Sequence, residues 1–123
     1  MPKLVEVVFY READGSIPLL EWLDRITPKA QAKCLVKIER LKSLGHELRR
    51  PEADYLRNGI YELRVGLEGI NYRMLYFFHG NQAVVISHGV IKERTVPLKE
   101  INRAIERKIQ FEHDPNRHTY QEK

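Results

Sequence analysis

Three consecutive stretches decide how this chain folds: Ile60–Leu67 (IYELRVGL), Ile70–Phe78 (INYRMLYFF) and Ala83–Val90 (AVVISHGV). Each is rich in β-branched and aromatic residues, and the connections at Glu68-Gly69 and His79-Gly80-Asn81 have hairpin length. The spacing predicts an antiparallel meander. Strand alternation sets Tyr61, Leu63 and Val65 on one face and Glu62 and Arg64 on the other. In the next strand Tyr72, Met74, Tyr76 and Phe78 share a face, and Arg73 lies opposite them with Leu75 and Phe77.

Upstream, Leu4–Tyr10 (LVEVVFY) reads as a first strand. Ser16 is placed to cap a short helix over Ile17–Ile26, with Leu19, Leu20, Trp22, Leu23 and Ile26 facing inward. Thr27-Pro28 opens a second helix that runs to about Leu44, with Cys34, Leu35, Ile38, Leu41 and Leu44 at helical spacing. Gly45 ends it in the left-handed conformation. The two helices form a hairpin on one face of the sheet. His46 to Asn58 reads as a polar connection. Beyond the meander, Val96-Pro97 opens a last helix with Leu98, Ile101, Ile105 and Ile109 on one stripe, and Asp114-Pro115 stops it. The expectation is an α+β domain in the order β-α-α-β-β-β-α, with a twisted, mainly antiparallel sheet and its helices on one face. Residues 1–115 make the domain, and 116–123 a loose polar tail.

Composition fits that frame. At 123 residues the chain suits one domain and can bury roughly two-thirds of its unfolded surface. Its single cysteine, Cys34, excludes an internal disulfide, lies on a helix's apolar stripe and suits a reducing compartment. No apolar run is long enough for a membrane span, and Met1-Pro2-Lys3 opens no signal-peptide pattern, so a cytoplasmic protein without a membrane partner is expected. The formal charge of +4 leans toward an anionic partner, but 17 acidic residues are interspersed among 21 basic ones. Function has to be argued from placed residues.

Several chemistries are missing from the sequence. It has no Gly-rich phosphate loop, no Cys/His zinc spacing and no compact carboxylate cluster, so neither a cofactor nor a metal is expected. His113 and His118 straddle a helix-stopping proline, which is poor metal geometry. What remains is a set of cations along the meander. Arg73 in the middle of an apolar strand is costly to bury without a carboxylate partner or an open concave surface. Two readings stand side by side. In the first, Glu62 pairs with Arg64 or Arg73 across strands as a surface salt bridge. In the second, Arg64, Arg73 and Lys92 converge to hold a phosphate, the arginines supplying bidentate forks. His88 reads first as a strand histidine satisfied by hydrogen bonds, and Trp22 and the strand tyrosines as core.

These residues also carry a family resemblance. Leu56–Arg64 (LRNGIYELR) resembles the L-x-[DN]-G-[IL]-[YW]-E-L-R strand of the RelE/ParE toxin superfamily, and of its phage-derived, HigB-like branch in particular. Tyr72–Phe78 (YRMLYFF) is similar to that family's Y-R-[IV]-[LF]-Y-[FA] strand, and His88–Pro97 (HGVIKERTVP) to its H-[GA]-F-x-K-K-T-x-x-[TV]-P segment. Phe9–Trp22 and Asp114–Tyr120 look like the same branch. The resemblance implies a RelE-like fold and the toxin of a type II toxin–antitoxin pair. Such a toxin is expected to be an endoribonuclease that cuts mRNA, commonly on the ribosome, and the lack of zinc spacing or a carboxylate cluster makes the expected cleavage metal-independent. The partner implied is a cognate antitoxin with a helix-turn-helix domain, HigA-like. Carried over by motif, Arg64, Arg73 and Lys92 are the catalytic cations, with Tyr61, Glu62 and Arg94 as secondary, RNA-binding candidates; His88, on the neighbouring strand, joins the RNA-binding set. Glu93 departs from the pattern, standing where relatives carry a second lysine. Two alternatives stay open: a ParE-like toxin that binds a protein target such as gyrase, and an inactive RNA-binding regulatory domain.

Overall fold

The computed structural model describes residues 6–81, 83–92 and 94–121. In chain order the elements are β1 (Glu6–Tyr10), α1 (Pro18–Arg25), α2 (Pro28–Leu44), a 3-10 turn (Gly45–Glu47), β2 (Ala53–Arg57), β3 (Ile60–Leu67), β4 (Ile70–His79), β5 (Ala83–Lys92), α3 (Leu98–His113) and β6 (Thr119–Tyr120). The strands form one sheet in the order β2-β3-β4-β5-β1-β6. All neighbours are antiparallel except β1 and β5, which run parallel from Glu6↔Ala83 to Phe9↔Ile86. The domain is α+β and RelE-like, as the meander implied. Of the expected first strand, Leu4 and Val5 lie outside the described residues.

The local reasons are legible. Thr27 caps α2 by accepting from the Ala30 amide at 3.2 Å, and Pro28 occupies the first turn. Gly45 at φ +51° ends the helix. Ser16 does not cap α1; its amide and hydroxyl both donate to Asp14 Oδ1, at 2.9 and 2.7 Å, in a local turn. α1 therefore starts at Pro18, whose missing N–H is no loss there. Glu68 and Gly69, at φ +52° and +80°, make the two-residue hairpin turn between β3 and β4.

The sheet is covered on both faces. Phe9, Leu63, Val65, Tyr72, Met74, Tyr76, Val84 and Ile86 pack under α1 and α2, around Trp22, Leu23, Cys34, Ile38 and Leu41. The other face carries Val8, Tyr10, Ile60, Leu75, Phe77 and Val85, and α3 lies on it through Ile101, Ala104 and Phe111. The expectation that the helices share one face holds for α1 and α2 and fails for α3. The cause is the second apolar row, Leu75-Phe77-Val85, which needs its own cover. The α3 stripe is also rotated from the expected one: Ala104 and Phe111 are buried, whereas Leu98 and Ile109 are about half exposed.

Two segments gain structure. β2 lies inside the expected polar connection, pairing with β3 from Ala53↔Leu63 to Arg57↔Ile60. The expected loose tail holds β6, which pairs Phe9↔Tyr120 and Tyr10↔Thr119. His118 ties it down: its ring stacks on Tyr10 with centroids 5.0 Å apart, and its Nδ1 lies 2.8 Å from the Arg11 carbonyl.

Candidate functional site

α3 covers only part of its face of the sheet. Toward the Asn71 end of β4 the same face carries polar residues, and the ladders bring them together. Arg64 on β3 stands directly opposite Arg73 on β4, Arg73 opposite Val90 on β5, and Asn71 opposite Lys92. Lys92 is therefore a diagonal neighbour of Arg73. Glu62, two residues before Arg64 on the same face, pairs with Leu75 and is diagonal to Arg73 from the other side.

One carboxylate sits at the centre of three cations. Glu62 Oε2 accepts from Arg64 Nε at 2.9 Å. Glu62 Oε1 lies 3.3 Å from Arg73 Nε and 3.6 Å from Lys92 Nζ. Both contacts are ion pairs, looser than the bond to Arg64. Glu62 Oε1 and Arg73 Nε remain without a hydrogen-bond partner among the described residues. A further guanidinium nitrogen of Arg73 donates to the Tyr72 carbonyl at 2.9 Å. Beyond it, Asp54 on β2 takes Arg64 at 3.2 Å and Arg50 at 2.9 Å. The Glu62 side chain is 3% exposed, those of Arg73 and Lys92 10%, and that of Arg64 30%. Of the three cations around Glu62, Arg64 reaches farthest toward solvent. Burial pulls the Arg73 guanidinium below its ordinary value, Glu62 opposes that shift, and Arg64 adds to it.

His88 lies on the α3 face opposite Leu75, in a separate network. Its Nε2 is 3.0 Å from Glu100 Oε1 on α3, and its Nδ1 is 2.7 Å from Ser87 Oγ. Arg107 donates to that hydroxyl oxygen at 3.3 Å. One proton arrangement satisfies every atom: the Ser87 hydroxyl donates to Nδ1, and Nε2–H donates to Glu100. Burial, then the Arg107 charge, lowers the His88 pKa to about 4, so the ring is neutral at pH 7. Both ring nitrogens are engaged, Nε2 tying β5 to α3 and Nδ1 the neighbouring Ser87 on β5.

The two sequence readings of the cations merge. The cross-strand salt bridge and the convergence of Arg64, Arg73 and Lys92 are one cluster, buried where a solvated face was expected. Tyr61 is not brought to it. Its ring lies on the α2 face of the sheet, 5.4 Å from Tyr76 and 5.1 Å from Tyr55 between centroids. Arg94 is exposed just beyond β5, and Glu93 lies outside the described residues. Asp54 was missed by sequence reasoning, although Asn58-Gly59 signals the hairpin that delivers it. Among the described residues there is no group of three or more His, Cys, Asp or Glu that could hold a metal ion. No helix there is long and apolar enough to cross a membrane.

A RelE-like α+β domain with cations gathered on one sheet face is the class that fold and cluster define. Residues 21–109 match the family model of phage derived protein Gp49-like (DUF891), and the chain belongs to that family. The family is of RelE-like toxin type and is associated with the toxins of toxin–antitoxin systems. A search of curated proteins finds no match to the chain.

Proposed function

We propose that the chain is the toxin of a type II toxin–antitoxin pair, a metal-independent endoribonuclease that cuts mRNA, on the ribosome, in the cytoplasm. The observation that carries this reading is the convergence of Arg64, Arg73 and Lys92, from three adjacent strands, around Glu62. RNA cleavage without a metal requires loss of the 2′-OH proton, stabilisation of charge on the phosphorus centre, and protonation of the leaving 5′-oxygen. Arg64 and Arg73 supply the charge, in fork geometry suited to a phosphate. Proton transfer falls to Lys92, because His88 has both ring nitrogens engaged. The ribosome contributes an in-line arrangement of the message, so the enzyme's share is position and charge. The partner is an adjacent-gene antitoxin of HigA-like, helix-turn-helix type.

The test is induction of the chain in a bacterium followed by mapping of transcript ends. New ends inside codons, lost in an Arg64→Ala/Arg73→Ala variant, support the nuclease. DNA damage without new ends supports a gyrase-directed toxin, and growth without either effect supports an inactive RNA-binding domain.

A further inference from the structure

We propose that Glu62 is a positioning residue: its buried carboxylate holds Arg64, Arg73 and Lys92 at one point and does not touch the RNA. The inference rests on the reading of this cluster as the phosphate site. Arg64 and Arg73 stand directly opposite each other on adjacent strands, a like-charge pairing that drives side chains apart. Lys92 adds a third positive charge at the diagonal position. Left alone, three long cationic side chains would splay toward water, each in its own direction. Glu62 reverses this by lying within 3.6 Å of all three. Its 3% side-chain exposure leaves no surface for a ligand, whereas Arg64 at 30% is open to one. Glu62 sits behind the cations, not among the groups that would meet a phosphate.

The unmatched atoms sharpen the point. Arg73 Nε faces Glu62 Oε1 at 3.3 Å, a looser contact than the 2.9 Å bond that Arg64 makes. Arg73 is held there by charge and by its bond to the Tyr72 carbonyl, so its guanidinium can turn a donor to an incoming phosphate oxygen at the loss of only a loose contact to Glu62. A firm bidentate pair would have locked it. The carboxylate concentrates the cations while leaving Arg73 able to donate elsewhere.

The experiment compares wild type with Glu62→Gln, using side-chain NMR of the arginine Nε–H groups, binding of a 2′-deoxy-blocked RNA oligonucleotide, and cleavage rates. In wild type, distinct Arg64 and Arg73 Nε–H signals are expected, and inorganic phosphate should shift them while leaving the Glu62 carboxyl carbon signal in place. In Glu62→Gln the two arginine signals should collapse toward the averaged position of free arginines. RNA affinity should hold or rise severalfold, because a negative charge has gone, while kcat falls at least tenfold. Loss of RNA affinity with the arginine signals intact would mean that Glu62 meets the RNA itself, and unchanged signals with unchanged kcat would remove its role altogether; either overturns the inference. If Glu62→Gln does not fold, the phosphate titration of wild type decides: a moving Glu62 carboxyl signal overturns the inference. If wild type cuts no RNA, the nuclease reading fails, while the arginine signals still judge Glu62.

Discussion

Arg73 is the residue at which structure and chemistry separate most cleanly. A hydrogen bond to a charged group contributes roughly 1.5–3 kcal/mol, so Arg73→Ala should lower cleavage at least tenfold. Glu62 keeps Arg64 and Lys92 as partners in that variant, so the stability cost should stay near 1–2 kcal/mol, below the roughly 3–5 kcal/mol of stranding a buried charge. Cleavage assays paired with thermal melts check both numbers. Undiminished cutting by the folded variant would remove Arg73 from the site. Alternation in YELR and YRML was enough to place Arg64 and Arg73 on one face, because a strand's period of two leaves no choice. It says nothing about depth. That Arg73 and Lys92 are nine-tenths buried depends on neighbours far away in sequence.

At the scale of elements, Gly89 fixes how closely α1 approaches β5. A Cβ at this position would run into the Trp22 indole. Gly89→Ala should therefore destabilise by the upper part of the roughly 1–3 kcal/mol usual for overpacking, read as a lower urea midpoint with an unchanged slope. An unchanged midpoint would show that the indole can move away. The meander, α1 and α2 were legible because apolar periodicity and Thr-Pro punctuation agree there. β2 was not, since ADYLR carries the charges typical of an edge strand and no apolar run. Its marker was Asn58-Gly59, both at positive φ (+49° and +82°), the turn that folds β2 onto β3. β6 was hidden for another reason: two residues have no period, and what holds them is long-range, the pairing with β1 and the stacking of His118 on Tyr10 and of Tyr120 on Phe9. The face chosen by α3 was equally out of reach of local pattern, because the row it covers is spread over β1, β3, β4 and β5.

Across the whole molecule, acid should weaken the fold in two stages. His88 has a folded pKa of about 4 against 6.5 unfolded, so between these values the unfolded chain takes a proton that the folded one refuses. Its contribution is complete above pH 6.5 and declines as pH falls toward 4. Glu52, held to about 2 by hydrogen bonds from Arg40 and then Lys37, loses its contribution as pH falls from 4.5 toward 2. Denaturation midpoints measured from pH 7 to pH 3 should fall throughout, and His88→Gln should flatten the upper stage alone. A wild-type curve that is level between pH 6.5 and 4.5 would mean that His88 is protonated in the fold. In cells, the chain alone should arrest growth, and co-expression of its neighbouring gene should restore it. Association of the pair should slow as salt rises, because the toxin surface is basic. Uninhibited growth with abundant folded protein would count against the toxin reading.

In the proposed reaction, fixed cations, with no metal, drive attack by the RNA's own 2′-OH. Cleavage of a message by purified protein with ribosomes, followed by chemical identification of the new 5′-fragment ends, tests it most directly. Cutting should survive chelation once ribosome integrity is controlled, leave ends bearing a cyclic or 3′-phosphate, and fail where the scissile nucleotide is 2′-deoxy. Fragments ending in a 3′-hydroxyl, formed only with magnesium present, would show that water is the nucleophile and would contradict the role given to Arg64, Arg73 and Lys92.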